Sequence, residues 1–129
     1  MGKIKKIFIS LPMKGLTKAE IERTVKEETE KILDLFPDVE IVKGWDTLTE
    51  DPNNKKTSVE YFADGIPRLA KADAIWLVGD WHKARGCILE CLIAKSYGII
   101  QLNGYGSEME GTSIEKIQEM ASVIREGLK

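Results

Sequence analysis

The sequence predicts an α/β fold: a parallel sheet of about four strands with helices on both faces, in a three-layer, doubly wound arrangement. Three observations predict it. Short β-rich apolar runs alternate with segments that open on helix capping boxes. One run, "DAIWLVG" at 73–79, is apolar without alternation, as a strand buried on both faces is. The resulting order β-α-β-α-β-α-β-α, joined by right-handed crossovers, favours the strand order 2-1-3-4 of a flavodoxin- or Rossmann-like sheet.

Each element has a local reason. "KIKKIFIS" at 3–10 reads as a buried strand ending in the Pro/Gly loop "LPMKG". "TKAE" places Glu20 three residues after Thr17 and opens a helix whose apolar stripe is Ile21, Val25, Ile32 and Leu35. Pro37 stops it. "VEIV" at 39–42 is a second strand, followed by the turn-rich loop "KGWDTLTEDPNNKK". "TSVE" at 57–60 repeats the capping box. The helix it opens is expected to break near Asp64–Gly65 and to start a new turn from Pro67, which lacks a backbone donor. After strand three come the loop "DWHKARG" and the helix "ARGCILECLIAKSYG", apolar almost all round. "GIIQLN" at 98–103 is strand four, and Thr112 with Glu115 opens a last helix to about Gly127.

The totals exclude several classes. A chain of 129 residues fits a single domain, 1–129, with a core large enough to need no metal or disulfide. The net charge of −2, with no basic run beyond Lys3, Lys5 and Lys6, argues against binding a nucleic acid duplex. No apolar run approaches ~18 residues, so no membrane span is expected. The start "MGKIKKIFIS" has no long apolar region or cleavage site, so no signal peptide is expected either. Cys87 and Cys91 stand four apart on one helix, poorly placed to bond each other, which suggests reduced thiols and a cytoplasmic home. With one histidine, His82, and two cysteines at that spacing, no metal site is expected. No Walker loop, GxGxxG or GxSxG is present.

In doubly wound folds ligands bind beyond the carboxyl ends of the strands, where the strand order reverses. Here that edge gathers Ser10, Met13, Lys14, Trp45, Asp46, Trp81, His82, Lys83, Arg85 and Asn103. The tryptophans suit either an aromatic wall for a flat ligand or simple loop cover. Glu90 falls about one turn into the third helix and shares a face with Gly86, Cys87, Ile93 and Ala94. The helix dipole favours an ionised carboxylate there. A sheltered, ionised carboxylate beside a cleft can act as a nucleophile. The other reading is a glutamate at the solvent edge or in an interface salt bridge. Gly86, being small, allows close approach to the helix start. A Cys87–His82 pair is conceivable, but Cys87 suits the core better.

The segments "IFISLPMKG", "YFADGIPRLAKADAIWLVGDW" and "ARGCILECLIAKSYGI" together resemble the nucleoside 2-deoxyribosyltransferase-like superfamily, in particular its small phage and bacterial branch. The resemblance covers nearly the whole chain. It implies N-glycosidic chemistry without a cofactor. A glutamate in "G..E...A...G" attacks the anomeric carbon of the sugar and displaces the base, and Glu90 holds that place. Tyr61 and Asp64 match a "Y..D" pattern whose aspartate assists at the base and sugar; Asp64 equally suits a cap on the turn near Pro67. Two positions depart: Phe8 stands where the transferases have tyrosine, and Ala84 where they have an aspartate. With Arg85, Gly86 and Lys14, these departures suggest hydrolysis of a nucleotide or deoxynucleotide, the phosphate being held by Arg85. Arg85 paired structurally with Asp80 or Glu90 is the other reading. The resemblance also implies a homo-oligomer, a dimer or higher, and the apolar third helix agrees. A non-catalytic module of the same fold, binding a nucleotide or other small ligand, is the alternative function.

Overall fold

A computed structural model describes residues 4–12, 16–44 and 58–102, with Ser122 and Arg125; of 58–61 it describes the backbone alone. The elements are β1 (Lys6–Ser10), α1 (Lys18–Leu35), β2 (Glu40–Val42), α2 (Ser58–Leu69), β3 (Ala74–Leu77), a 3₁₀ turn (Trp81–Lys83), α3 (Arg85–Ser96) and β4 (Ile100–Leu102). The strands form one four-stranded parallel sheet in the order β2-β1-β3-β4, as the crossover argument predicts. Ser122 and Arg125 are helical. The Thr57 and Thr112 capping boxes lie outside the described residues.

The pleat of β1 sorts the core into two layers. Ile7, Ile9 and Leu11 point to one face and join Ala74, Trp76, Val78 and Leu102 under Ile21 and Ile32 of α1. Phe8 points to the other, with Ile75 and Leu77, and meets Leu69 of α2 and Cys87, Ile88, Cys91 and Ala94 of α3. Helices therefore cover both faces of the sheet. All four residues of β3 are buried, which is why that strand reads as an unbroken apolar run. Each fully buried large side chain contributes about 1.5–3 kcal/mol.

The capping box of α1 is formed. Thr17 Oγ1 accepts from the Glu20 backbone N–H at 3.1 Å, and Glu20 Oε1 accepts from the Thr17 N–H at 3.2 Å. That second bond lowers the Glu20 carboxyl below its ordinary value. The stripe differs from the expected one. Leu35 is 52 % exposed, and Glu28 is buried in its phase between Ile21 and Ile32, with Lys31 Nζ at 3.3 Å. The helix ends at Leu35, and Phe36, four residues after Ile32 with its N–H on the Ile32 carbonyl, packs against the α1 layer in place of Leu35.

The expected break in α2 does not occur. The helix runs through Gly65 and Pro67 to Leu69. Pro67 forfeits one hydrogen bond, but the ladder resumes with Ala70 N–H donating to the Ile66 carbonyl at 2.9 Å, and fully buried Leu69 anchors the last turn. Gly65 in a helix interior costs about 1 kcal/mol relative to alanine. At the amino edge of the sheet, the Lys5 and Lys6 backbone N–H groups both donate to Asp73 Oδ2 at 2.9 Å, tying the start of β1 to the start of β3. Gly98, at φ 76°, ends α3, where Ile99 N–H donates back to the Ala94 carbonyl at 2.8 Å.

Candidate functional site

β1 and β3 end side by side, Ser10 paired with Leu77, and the Val78 N–H donates to the Ser10 carbonyl at 3.0 Å. The chain leaves β1 toward one face and β3 toward the other, so this is the point where the strand order reverses. Ser10 follows Phe8 on the α2/α3 face and is 1 % exposed. Its hydroxyl donates to Glu90 Oε1 at 2.8 Å. Strand register and helix packing thus bring together two polar side chains that stand 80 residues apart.

Burial pushes the half-buried Glu90 carboxyl up to about 7, and the Ser10 hydrogen bond opposes this only in part. The expectation that the dipole of α3 keeps it readily ionised is overturned: Glu90 is past the first turn, where the dipole fades, and desolvation outweighs it. The Cys87 thiol beside it is pushed to about 12, by burial first; the Ser10 hydrogen bond lowers it and the neighbouring Glu90 charge raises it. A buried thiol held so high is inert, and Cys87 belongs to the core.

Two glycines complete the surroundings of Glu90. A Cβ built on Gly65 would lie 3.4 Å from Glu90 Oε2, 3.5 Å from the Gly44 carbonyl oxygen and 3.6 Å from Gly44 Cα. A Cβ built on Gly44 would meet the Phe8 ring at 3.2 Å. Gly44 after β2 and Gly65 in the middle of α2 therefore come together through backbone instead of side chains, Gly65 beside Glu90 and Gly44 beside the Phe8 ring. Sequence reasoning treated Gly65 as a helix interruption and did not single out Gly44. The available signal was a glycine inside an otherwise helical pattern, which costs stability and so has a packing or functional reason.

The other candidates are placed as follows. Asp64 is exposed on α2, one residue from Gly65. Arg85 and Gly86 are exposed in the first turn of α3, and a Cβ on Gly86 would meet nothing within 4 Å, so this helix start is open. The ionisation of Glu90 is set by burial and Ser10. Trp81 does not form a ligand wall: it is 6 % exposed and packs in the α3-side core, edge-on to His82 at 6.0 Å, because the 3₁₀ turn folds it under the loop. Met13, Lys14, Trp45, Asp46, Asn103 and the side chain of Tyr61 lie outside the described residues.

Neither a family model nor a curated protein sequence matches the chain. A solved structure is similar in fold: a conserved protein from Enterococcus faecalis V583 matches with a TM-score of 0.60 at 16% identity over 78% of this chain. The chain spans 63% of that protein's length. At that identity the likeness shows the fold alone. On these grounds the chain is a doubly wound α/β protein with a half-buried, serine-held glutamate at the switch point of its sheet.

Proposed function

We propose that this protein releases the base from a nucleotide or deoxynucleotide by N-glycosidic cleavage, with Glu90 as nucleophile and water as the final acceptor. The observation that carries this reading is the Glu90 carboxylate itself. It is buried enough to be desolvated, oriented by Ser10 through one oxygen, and set at the edge where such sheets bind ligands. A carboxylate oxygen forms a bond to the anomeric carbon as the C–N bond breaks and its electron pair leaves with the base. The base takes a proton from water, with Asp64 assisting. A second water then adds to the anomeric carbon, giving its proton to the hydroxide left by the first, and the bond to Glu90 breaks, which frees the sugar and restores the carboxylate. Arg85 and the open start of α3 hold the phosphate of the substrate. The resemblance of three segments to the deoxyribosyltransferase-like superfamily supports the same chemistry, and with it a cytoplasmic homo-oligomer acting on small molecules.

The test is chromatographic detection of free base from a panel of nucleosides and 5′-nucleotides. Glu90→Gln is nearly isosteric and is expected to keep its circular dichroism spectrum while losing roughly 10³-fold or more in base release. Asp64→Asn is expected to slow release by a smaller factor. Because an ionised nucleophile is required, wild-type activity should climb as pH rises through about 7, where Glu90 ionises. Wild-type activity in Glu90→Gln removes the glutamate from the mechanism. A wild type that releases no base from any of the panel points instead to a module that binds the ligand without turning it over.

A further inference from the structure

Gly65 lies against Glu90, and α2 has its weakest point at the same place. A Cβ on Gly65 would stand 3.4 Å from Glu90 Oε2, so the backbone of the helix covers this side of the carboxylate. Two residues on, Pro67 has no N–H to give the Ala63 carbonyl, which interrupts the ladder between the turn that bears Gly65 and the turn that ends at Leu69. Glycine is itself the poorest helix former after proline. The two sides of the interruption are held unequally. Leu69, fully buried, is the one described residue of α2 that belongs to a core cluster. On the other side Ala63 and Asp64 are exposed, and Gly65 has only backbone to set against Gly44 and Glu90. We propose that α2 up to Gly65 is a strap hinged between Gly65 and Pro67, closed over Glu90 in this structure, and that its opening exposes the carboxylate to a ligand. Sharp changes of helix direction occur at such prolines and glycines, and hinges use a few residues of this kind.

The strap also answers to pH. Burial is the first cause that raises the Glu90 carboxyl to about 7, while the Ser10 hydrogen bond opposes it. The titratable neighbours on the surrounding elements are Cys87 and Cys91 on α3, Asp64 and Arg68 on α2 and Lys43 after β2, and the Cys87 thiol is held protonated. An ionised Glu90 under the strap lacks solvation that it regains when the strap opens. Closure therefore weakens as pH rises through about 7. That a nucleotide enters by this opening rests on the glycosidase reading; the hinge does not.

Backbone hydrogen exchange by NMR, corrected for the intrinsic rate at each pH, tests the hinge without turnover. In wild type, amides 62–66 are expected to exchange roughly tenfold or more faster than amides 88–94 of core-packed α3. Between about pH 6 and about pH 8 the protection of 62–66 is expected to fall by a further factor of roughly ten, since the carboxyl titrates near 7 under the strap and near 4.5 in water. Glu90→Gln, which cannot ionise, should abolish that step. Pro67 is exposed, so Pro67→Ala supplies the missing N–H without disturbing the core, and it should slow the exchange of 62–66 roughly tenfold. Amides 62–66 as protected as 88–94 overturn the proposal. So does a wild type without the pH step, a step that persists in Glu90→Gln, or a folded Pro67→Ala whose strap exchanges as fast as that of wild type. Should Pro67→Ala fail to fold, the comparison of wild type with Glu90→Gln decides by itself. A wild type that releases no base from the nucleotide panel removes the glycosidase reading, while the exchange of 62–66 still decides the hinge.

Discussion

Moving the Glu90 carboxyl from water to its place beside Ser10 raises its pKa from 4.5 to about 7. Between those values the folded chain holds a proton that the unfolded chain has released. The contribution of this group to stability is thus full below about pH 4.5 and is lost as pH rises through about 7. The loss amounts to about 3 kcal/mol at most. Glu90→Gln, which cannot ionise, is expected to unfold at a higher urea concentration than wild type at about pH 8 and to show little advantage at about pH 4.5. Equal midpoints at both pH values would show that the carboxyl is solvated. Ser10→Ala removes the bond that favours the ionised form, so the acid limb of any pH–activity profile should move to higher pH, and Ser10→Thr should restore it. The presence of Glu90 in an apolar helix was legible from the sequence. Its acidity was not: the first-turn dipole argument needs only helix position, whereas desolvation depends on what α2 and β1 place over the residue.

Among the elements, the strands were legible because their signals are local. β3 is apolar without alternation and is buried on both faces, and the Thr17 capping box forms as written. The misreadings came where tertiary contacts override local rules. Pro67 and Gly65 mark a helix break, yet α2 runs through both, anchored by buried Leu69. Leu35 and Phe36 both continue the stripe from Ile32, and it is Phe36 that packs against the core while Leu35 stays exposed. Gly44 carries no periodic signal; its contact with Phe8 and Gly65 exists only once β2 and α2 are packed. The Asp73 bridge tests one element junction. Backbone N–H groups of Lys5 and Lys6 hold its carboxyl below the ordinary value. Its stabilisation is therefore present above the unfolded pKa of 3.8 and is lost as pH falls through the lower folded value. Asp73→Ala is expected to lower the melting temperature at neutral pH by roughly 3–5 °C. The difference from wild type should shrink in acid. A constant difference across that range would mean that the charge is irrelevant to the junction.

For the molecule as a whole, strand order and the placing of helices on both faces follow from the alternation of elements and the handedness of crossovers. No helix among the described residues is long and apolar enough to cross a membrane. The third helix offers two apolar faces. One packs into the core through Cys87, Ile88, Cys91 and Ala94. The other carries Leu89 and Leu92, with Tyr97 just beyond the helix end; Leu92 is 44 % and Tyr97 80 % exposed. A homodimer using this second face is the expected assembly under the proposed function. Light scattering at micromolar concentration should give twice the 14.5 kDa chain mass for wild type and the chain mass for Leu92→Asp. A monomeric wild type would sink the dimer, and an unchanged dimer in Leu92→Asp would place the interface elsewhere.

The position of β1 between β2 and β3 has a consequence for how the chain is born. β1 is translated before β3 and has its second neighbour only after β3 has followed, and Ser10 receives Glu90 only 80 residues later. During translation "IFIS" is an apolar, β-prone segment with unpaired edges, the kind that associates with other chains. Non-local parallel pairing of this sort is slow. The segment that ends at the candidate site thus also depends on prompt folding or on a chaperone's cover.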